Sequence, residues 1–221
     1  MLVMTSFSMT SQTKSELLKH YEAFYKQMKS QGDIDGVINA LTHLQVLAPS
    51  QARLDTLAYV YVSEGKNLQA LNTIGIEKNP NDSDINVEVK ALALAALNEP
   101  KQAAEFYNIL FQRKPTPQLA YAIADLNAQV GDLEAAKAKI EYGLANVKDD
   151  MKRAFYETQQ PYETSLKAAF LYLKALVLFN EDKNANVESA LVLLNRALVI
   201  DPNFNMAKLS KDALLSRKKQ E

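Results

Sequence analysis

Apolar side chains recur along this chain at the three- and four-residue intervals of amphipathic helices, and the predicted helices come in pairs. In the first pair, one apolar stripe ends at Gly32 and a second stripe follows it as far as Pro49. The stripes consist of Leu18, Tyr21, Phe24, Tyr25 and Met28 in the first helix and Val37, Leu41 and Leu44 in the second. Ser15 is predicted to cap the first helix. The pattern therefore predicts a helical hairpin whose two apolar stripes pack together.

The hairpin pattern repeats at a fixed interval of 33 residues. The second helices carry Val37, Ala70, Ala103 and Ala136 at this interval, the first helices carry Ala58, Ala91 and Ala124, and the turns carry Gly32, Gly65, Asn98 and Gly131. Pro49, Pro80 and Pro115 are predicted to end three of the second helices. A period of this length is typical of stacked helical repeats, in which small residues lie where two helices approach closely.

The period divides the chain into five repeats, an insert and two terminal segments. The repeats lie near residues 15–50, 51–83, 84–116, 117–148 and 165–202, the insert at 149–164, a leader at 1–14 and a terminal helix at 203–221. The last helix is polar on one face, as expected of the helix that closes a repeat array.

Two segments show the repeat pattern most clearly. One is Ala190-x3-Leu194-x2-Ala197 followed by Asp201-Pro202, and the other runs from Gly131 to Ala136. This pattern resembles the tetratricopeptide repeat from about Ser15 to the C-terminus, although the chain has no Trp and its period is 33 residues. The resemblance implies an all-α, right-handed superhelix (a solenoid) of about five helix-turn-helix repeats plus a C-terminal capping helix.

The resemblance also implies where a partner binds, because the first helices of such repeats line a concave groove. The residues expected to contact a peptide or partner helix there are Tyr59, Leu92, Tyr121, Asp125, Tyr172 and Leu176. For Tyr59, Tyr121 and Tyr172, packing on a neighbouring repeat is an open alternative. The resemblance implies a non-enzymatic protein–protein interaction module with a scaffold or assembly role. A small-ligand-binding sensor domain and a self-associating structural protein, a homo-oligomer, are the alternatives.

The insert at 149–164 interrupts the period and carries Phe155, Tyr156 and Tyr162 around Pro161. Inserts in repeat arrays often lie on the binding face. The alternative is a lengthened helix with a kink before Pro161, whose aromatic residues cover the fifth repeat. The sequence does not decide between a binding segment and a covering segment.

The amino-acid composition limits the kinds of functional site that we expect in this chain. The chain has a net charge of −1, no Cys and only two histidines, His20 and His43, which are predicted to lie on different helices. We therefore expect no nucleic-acid partner, no metal site and no cofactor. The sequence also contains no glycine-rich phosphate loop or hydrolase motif, and so we expect no enzyme activity.

Residues 1–12 are uncharged and alternate apolar with small hydroxyl residues. They suit either a disordered leader or the end of a signal peptide. No apolar run reaches the length of a membrane span, so a soluble protein is expected. It would be cytoplasmic if Met1 is the true start, and periplasmic or secreted if residues 1–12 end a signal peptide.

Overall fold

The computed structural model of the chain describes residues 13–218. Within them the backbone forms eleven helices and one antiparallel pair of strands. The elements are α1 Lys14–Gln31, α2 Ile34–Leu47, α3 Gln51–Ser63, α4 Asn67–Ile74, α5 Asp84–Ala96, α6 Pro100–Arg113, α7 Pro117–Gln129, α8 Leu133–Asn146, β1 Lys152–Phe155, β2 Tyr162–Ser165, α9 Leu166–Glu181, α10 Val187–Ile200 and α11 Asn205–Lys218. The ten helices α1–α10 form the five predicted repeats, two per repeat, and α11 is the terminal helix.

Four turns between paired helices, at the positions where the 33-residue period repeats Gly or Asn, have a left-handed backbone conformation. The φ angles are 70° at Gly32, 69° at Gly65, 61° at Asn98 and 79° at Gly131. In each turn the next N–H donates to a carbonyl near the end of the preceding helix, as in Asp132 N to Asn127 O at 2.9 Å. Glycine and, at lower frequency, asparagine tolerate this conformation, which is why they recur here.

The chain divides into two compact units, Met1–Ala93 and Leu94–Glu221. The N-terminal unit has one apolar cluster where α1, α2 and α3 pack, which includes Met28 and Leu57. Gly36 of α2 leaves room for Met28, since a Cβ at position 36 would lie 2.5 Å from the Met28 sulfur. A second cluster joins the fully buried Ala58 and Ala70 to Val89.

Two of the apolar clusters of the described residues lie in the C-terminal unit. One fills the space between α7, α8 and α9 and includes Tyr121, Ala136 and Phe170. The other lies between α9, α10 and α11 and includes Tyr172 and Phe204. The terminal helix is amphipathic and packs on the fifth repeat, as predicted.

Two predicted helix ends need correction. The N-cap of α1 is Thr13 rather than Ser15, because Thr13 forms a reciprocal capping box with Glu16 in which Glu16 Oε2 accepts from Thr13 N at 2.8 Å. Helix α4 ends at Ile74, well before Pro80, because Gly75 has φ 77° and ψ 173°, which do not continue a helix. Helices α2 and α6 do end two residues before Pro49 and Pro115.

The insert forms a β-hairpin, so the predicted lengthened helix with a kink before Pro161 is wrong. Strands β1 and β2 pair antiparallel with Phe155 opposite Tyr162, and the two rings stack with centroids 5.9 Å apart. Both aromatic side chains pack against the cluster of the fifth repeat. The predicted covering of that repeat is therefore confirmed, with strands rather than a helix as the covering element.

The predicted leader lies, apart from Thr13 and Lys14, outside the described residues. None of the helices in residues 13–218 combines the length and the hydropathy needed to cross a membrane.

Candidate functional site

The six residues predicted to contact a partner all lie on first helices of their repeats. Tyr59 is on α3, Leu92 on α5, Tyr121 and Asp125 on α7, and Tyr172 and Leu176 on α9. The first two belong to the N-terminal unit and the other four to the C-terminal unit.

In the N-terminal unit, Tyr59 is exposed and Leu92 is half-buried. The side chain of Tyr59 is 49% exposed, although it lies on a helix that is packed on both sides. One helical turn before it on the same face is Asp55, which is only 3% exposed. An exposed aromatic ring thus lies beside a buried carboxylate.

Three side chains donate hydrogen bonds to the Asp55 carboxylate. Its Oδ1 accepts from Gln51 Nε2 and from Asn86 Nδ2, both at 2.8 Å, and its Oδ2 accepts from Ser83 Oγ at 2.5 Å. Asn86 is on α5, and Ser83 is the residue directly before α5. The Asp55 carboxylate therefore links α3 to the start of α5. Ser83 Oγ in turn accepts from the backbone N–H of Asn86 at 3.1 Å and so caps the start of α5.

A buried lysine fixes the loop that precedes α5. Lys90 is 2% exposed, and its ammonium group donates to Asp82 Oδ2 at 2.6 Å and to the carbonyl of Glu77 at 2.8 Å. A buried charge needs such partners to offset the cost of leaving water. The burial of Lys90 was not predicted, because its place on an amphipathic helix resembles that of an ordinary surface lysine.

In the C-terminal unit, Tyr121 and Tyr172 lie in the core. Tyr121 is 2% exposed and packs edge-on against Phe170, with the ring centroids 5.3 Å apart. Tyr172 is 6% exposed and packs against Phe204 at 5.2 Å. This burial favours the alternative that both rings pack within the repeats.

The β-hairpin contributes a charged residue to the α7 face. The guanidinium carbon of Arg153 lies 4.3 Å from the ring centroid of Tyr121. Burial raises the pKa of the half-buried Asp125 carboxyl, and the positive charge of Arg153 and a hydrogen bond from Gln129 oppose that shift. Burial, aided by the charge of Asp125, also raises the pKa of Tyr121. The sequence analysis did not identify Arg153 as a residue of this site. Its position in the insert was the one signal in the sequence, and that position did not indicate a contact with Tyr121.

Further contacts attach the hairpin to the fifth repeat and its terminal helix. The Phe155 ring lies 4.9 Å from that of Phe204, and Thr164 Oγ1 donates to Asp201 Oδ2. Tyr162 donates to Glu157 Oε1 at 2.5 Å, and burial together with this bond raises the pKa of Tyr162 to about 12. These contacts attach the hairpin whose Arg153 covers the ring of Tyr121, whereas Asp125 and Leu176 remain half-buried.

The described residues show no metal centre. In the range 13–218, no three His, Cys, Asp or Glu side chains converge as metal ligands do. Of the two histidines, His43 stacks on Tyr21 with ring centroids 4.3 Å apart.

Solved structures of repeat proteins resemble this chain over most of its length. A tetratricopeptide repeat protein from Parabacteroides merdae is 15% identical, with a TM-score of 0.67 over 90% of this chain and 72% of that one. YrrB, described as a tetratricopeptide-repeat protein with an unusual peptide-binding site, is 13% identical, with a TM-score of 0.68 over 90% of this chain and 98% of that one. MamA is 14% identical, with a TM-score of 0.61 over 85% of this chain and 93% of that one. The chain has the tetratricopeptide-repeat fold.

The small-residue positions agree with this tetratricopeptide-repeat fold. Six alanines that the 33-residue period places at close helix contacts are completely buried: Ala58, Ala70, Ala91, Ala103, Ala124 and Ala136. No model of a protein family matches the sequence, and no curated protein matches it. The likeness to the solved structures therefore establishes the fold, and the roles of single residues rest on the contacts in this chain.

Proposed function

We propose that the protein is a non-enzymatic interaction module that binds a peptide or a partner helix on the first-helix face of α3 and α5. In this proposal it acts as a scaffold or in the assembly of a complex. The observation that carries the proposal is the exposed ring of Tyr59 on the face where the first helices of the fold are expected to bind. Tyrosine is favoured at binding sites because it buries a large apolar area and still offers a hydroxyl group.

The surroundings of Tyr59 support a preformed binding face. The hydrogen bonds from Asn86 and Ser83 to Asp55 hold α3 against α5, on which Leu92 lies. A face that is already ordered loses little conformational entropy when a partner binds. The likeness to YrrB, which is described as having an unusual peptide-binding site, supports this proposal.

In the C-terminal unit we propose that Asp125 and Leu176 contact a partner, because both are half-buried and lie on first helices. Contact with Tyr121 and Tyr172 is also proposed, but it requires Arg153 and Phe204 to move away from the two rings. Asp125 can accept a hydrogen bond from a donor on the partner, and Leu176 adds apolar contact.

The proposal is tested by selecting peptides from a displayed random library on the immobilised wild-type protein. Each selected peptide is then titrated against Tyr59→Ala and against Val46→Ala, a matched loss of an exposed apolar side chain on the second helix α2. We expect Tyr59→Ala to weaken binding about tenfold or more, as for a hot-spot residue. Val46→Ala should leave the affinity unchanged.

Two outcomes would count against the proposal. One is a selection that yields no peptide with measurable affinity. The other is a set of peptides that bind Tyr59→Ala and Val46→Ala equally well while both variants keep the wild-type melting temperature.

A further inference from the structure

An open groove of about 650 Å³ lies where α8, α9 and α10 meet in the C-terminal unit. On α9 it is lined by Lys167, Leu171 and Lys174. At 100° per residue these positions lie on the side of α9 opposite to Tyr172 and Leu176. The groove is therefore separate from the first-helix face to which the proposed function refers.

Four of the six residues that α10 contributes to the groove are apolar and form one wall of it, and the other two are Asn195 and Arg196. Val192, Val199 and Ile200 are 58%, 82% and 41% exposed, and Leu193 beside them is buried. Single exposed apolar residues are common on protein surfaces. Three in one groove form a patch of the kind that marks an interaction site.

The charged side chains that line the groove are all positive. They are Lys167, Lys174 and Arg196. Within residues 13–218, neither Lys174 nor Arg196 has an ion-pair partner. Lys167 is 4.0 Å from the carboxylate of Asp149, whose side chain is 98% exposed and does not line the groove. The groove thus combines an apolar wall with uncompensated positive charge, although the chain as a whole has a net charge of −1.

We propose that this groove docks an acidic amphipathic segment of a partner protein. Its aliphatic side chains would pack against Val192, Val199 and Ile200, and its carboxylates would lie beside Lys174 and Arg196. Charge complementarity of this kind selects the partner and speeds association. The apolar wall favours a peptide over a nucleic acid, since phosphates gain nothing from contact with exposed valines.

The test uses the full-length protein and a synthetic peptide of about four helical turns, with Leu along one face and Glu on the others. A peptide with Gln in place of every Glu serves as the ligand control. Binding is followed by fluorescence anisotropy at about 0.05 M and about 0.5 M NaCl, because salt screens exposed charges. We expect the Glu peptide to bind, the Gln peptide to bind more weakly, and high salt to reduce the difference.

Variants then locate the peptide on the protein. Lys174→Glu combined with Arg196→Glu should weaken binding of the Glu peptide about tenfold or more, because two attractions become repulsions. Val199→Ser should weaken both peptides. The matched control is Lys183→Glu combined with Lys208→Glu, which makes the same change of charge at exposed positions outside the groove. This control and Tyr59→Ala should bind the Glu peptide as the wild type does, which separates this groove from the face of the proposed function.

Four results would overturn the proposal. The first is that the Glu peptide does not bind at low salt, and the second is that it binds equally to the groove variant and to the charge control. The third is light scattering that shows a dimer abolished by Val199→Ser, which would make a second copy of the chain the occupant. The fourth is binding to phosphatidylserine vesicles that the groove variant loses while the Glu peptide is not bound.

Discussion

Gly143 of α8 faces the ring of Phe170 on α9 at a distance that leaves no room for a side chain. A Cβ built at position 143 would lie 2.0 Å from Cζ of Phe170 and 2.3 Å from Cε1. Gly143 interrupts the apolar pattern of its helix in the sequence, and Phe170, which is completely buried, occupies the space that the missing side chain leaves. The two residues together set how closely α8 and α9 approach.

We therefore expect Gly143→Ala to lower the free energy of unfolding by about 1–3 kcal/mol through overpacking. The sign of this stability change is informative, because Gly→Ala within an unconstrained helix has the opposite effect and raises the free energy of unfolding by up to about 1 kcal/mol. Urea unfolding followed by circular dichroism measures the change. Adding Phe170→Leu to Gly143→Ala should recover part of the loss, and a variant as stable as the wild type would show that α8 and α9 separate at little cost.

The left-handed turn at Asn98 predicts a stabilising substitution. Asn98 has φ 61° where the corresponding turns have glycine. Asn98→Gly should raise the free energy of unfolding by about 0.5 kcal/mol, because glycine adopts this conformation without strain. The control is Asn195→Gly, at an exposed position within α10, which should lower it by about 1 kcal/mol. If Asn98→Gly also lowered the free energy of unfolding, the left-handed backbone at Asn98 would not be a source of strain.

The repeats were predictable from the sequence because their determinants are local and steric. A residue that tolerates positive φ follows each first helix in the first four repeats, and alanine recurs every 33 residues at the close helix contacts of the second, third and fourth repeats. Such features depend on the backbone and on the size of single side chains. The 33-residue spacing alone therefore identified the hairpins and their turns.

The contacts of the candidate site were less predictable because they depend on tertiary packing. An amphipathic pattern does not distinguish Tyr59, which is exposed, from Tyr121, which is covered by Arg153. Strands β1 and β2 have four residues each, too few for their alternation to stand out. The position of Arg153 over α7 follows only once the hairpin has formed and attached to the fifth repeat.

The carboxylate of Asp55 provides a test of how the N-terminal unit is held together. Asp55→Ala removes the acceptor for Gln51, Ser83 and Asn86 and leaves the buried amide of Asn86 without this acceptor. We expect it to lower the free energy of unfolding by about 2–4 kcal/mol. Glu88→Ala, at an exposed position on α5, should change it by less than about 0.5 kcal/mol. Equal effects of the two substitutions in urea unfolding would show that the hydrogen bonds to Asp55 add little to stability.

The raised pKa of Asp125 predicts that the contribution of this residue to the free energy of unfolding falls as the pH rises. Because burial outweighs the opposing charge of Arg153, the folded protein holds the Asp125 proton more tightly than the unfolded chain does. The contribution of Asp125 to stability therefore falls as the pH rises from the ordinary carboxyl pKa, near 4, to the raised value in the folded state. Asp125→Asn cannot ionise, and its stability relative to the wild type should increase through this window and stay constant above it.

Urea unfolding of the wild type and of Asp125→Asn between about pH 3 and about pH 7 measures this difference. The same pair compared in an Arg153→Met background provides the control. Without the guanidinium, nothing opposes the effect of burial except the hydrogen bond from Gln129, and the pKa of Asp125 should rise further. The window then extends to higher pH, and the final gain from Asp125→Asn is larger. A difference that falls with pH, or that Arg153→Met leaves unchanged, would mean that the hairpin arginine does not act on this carboxylate.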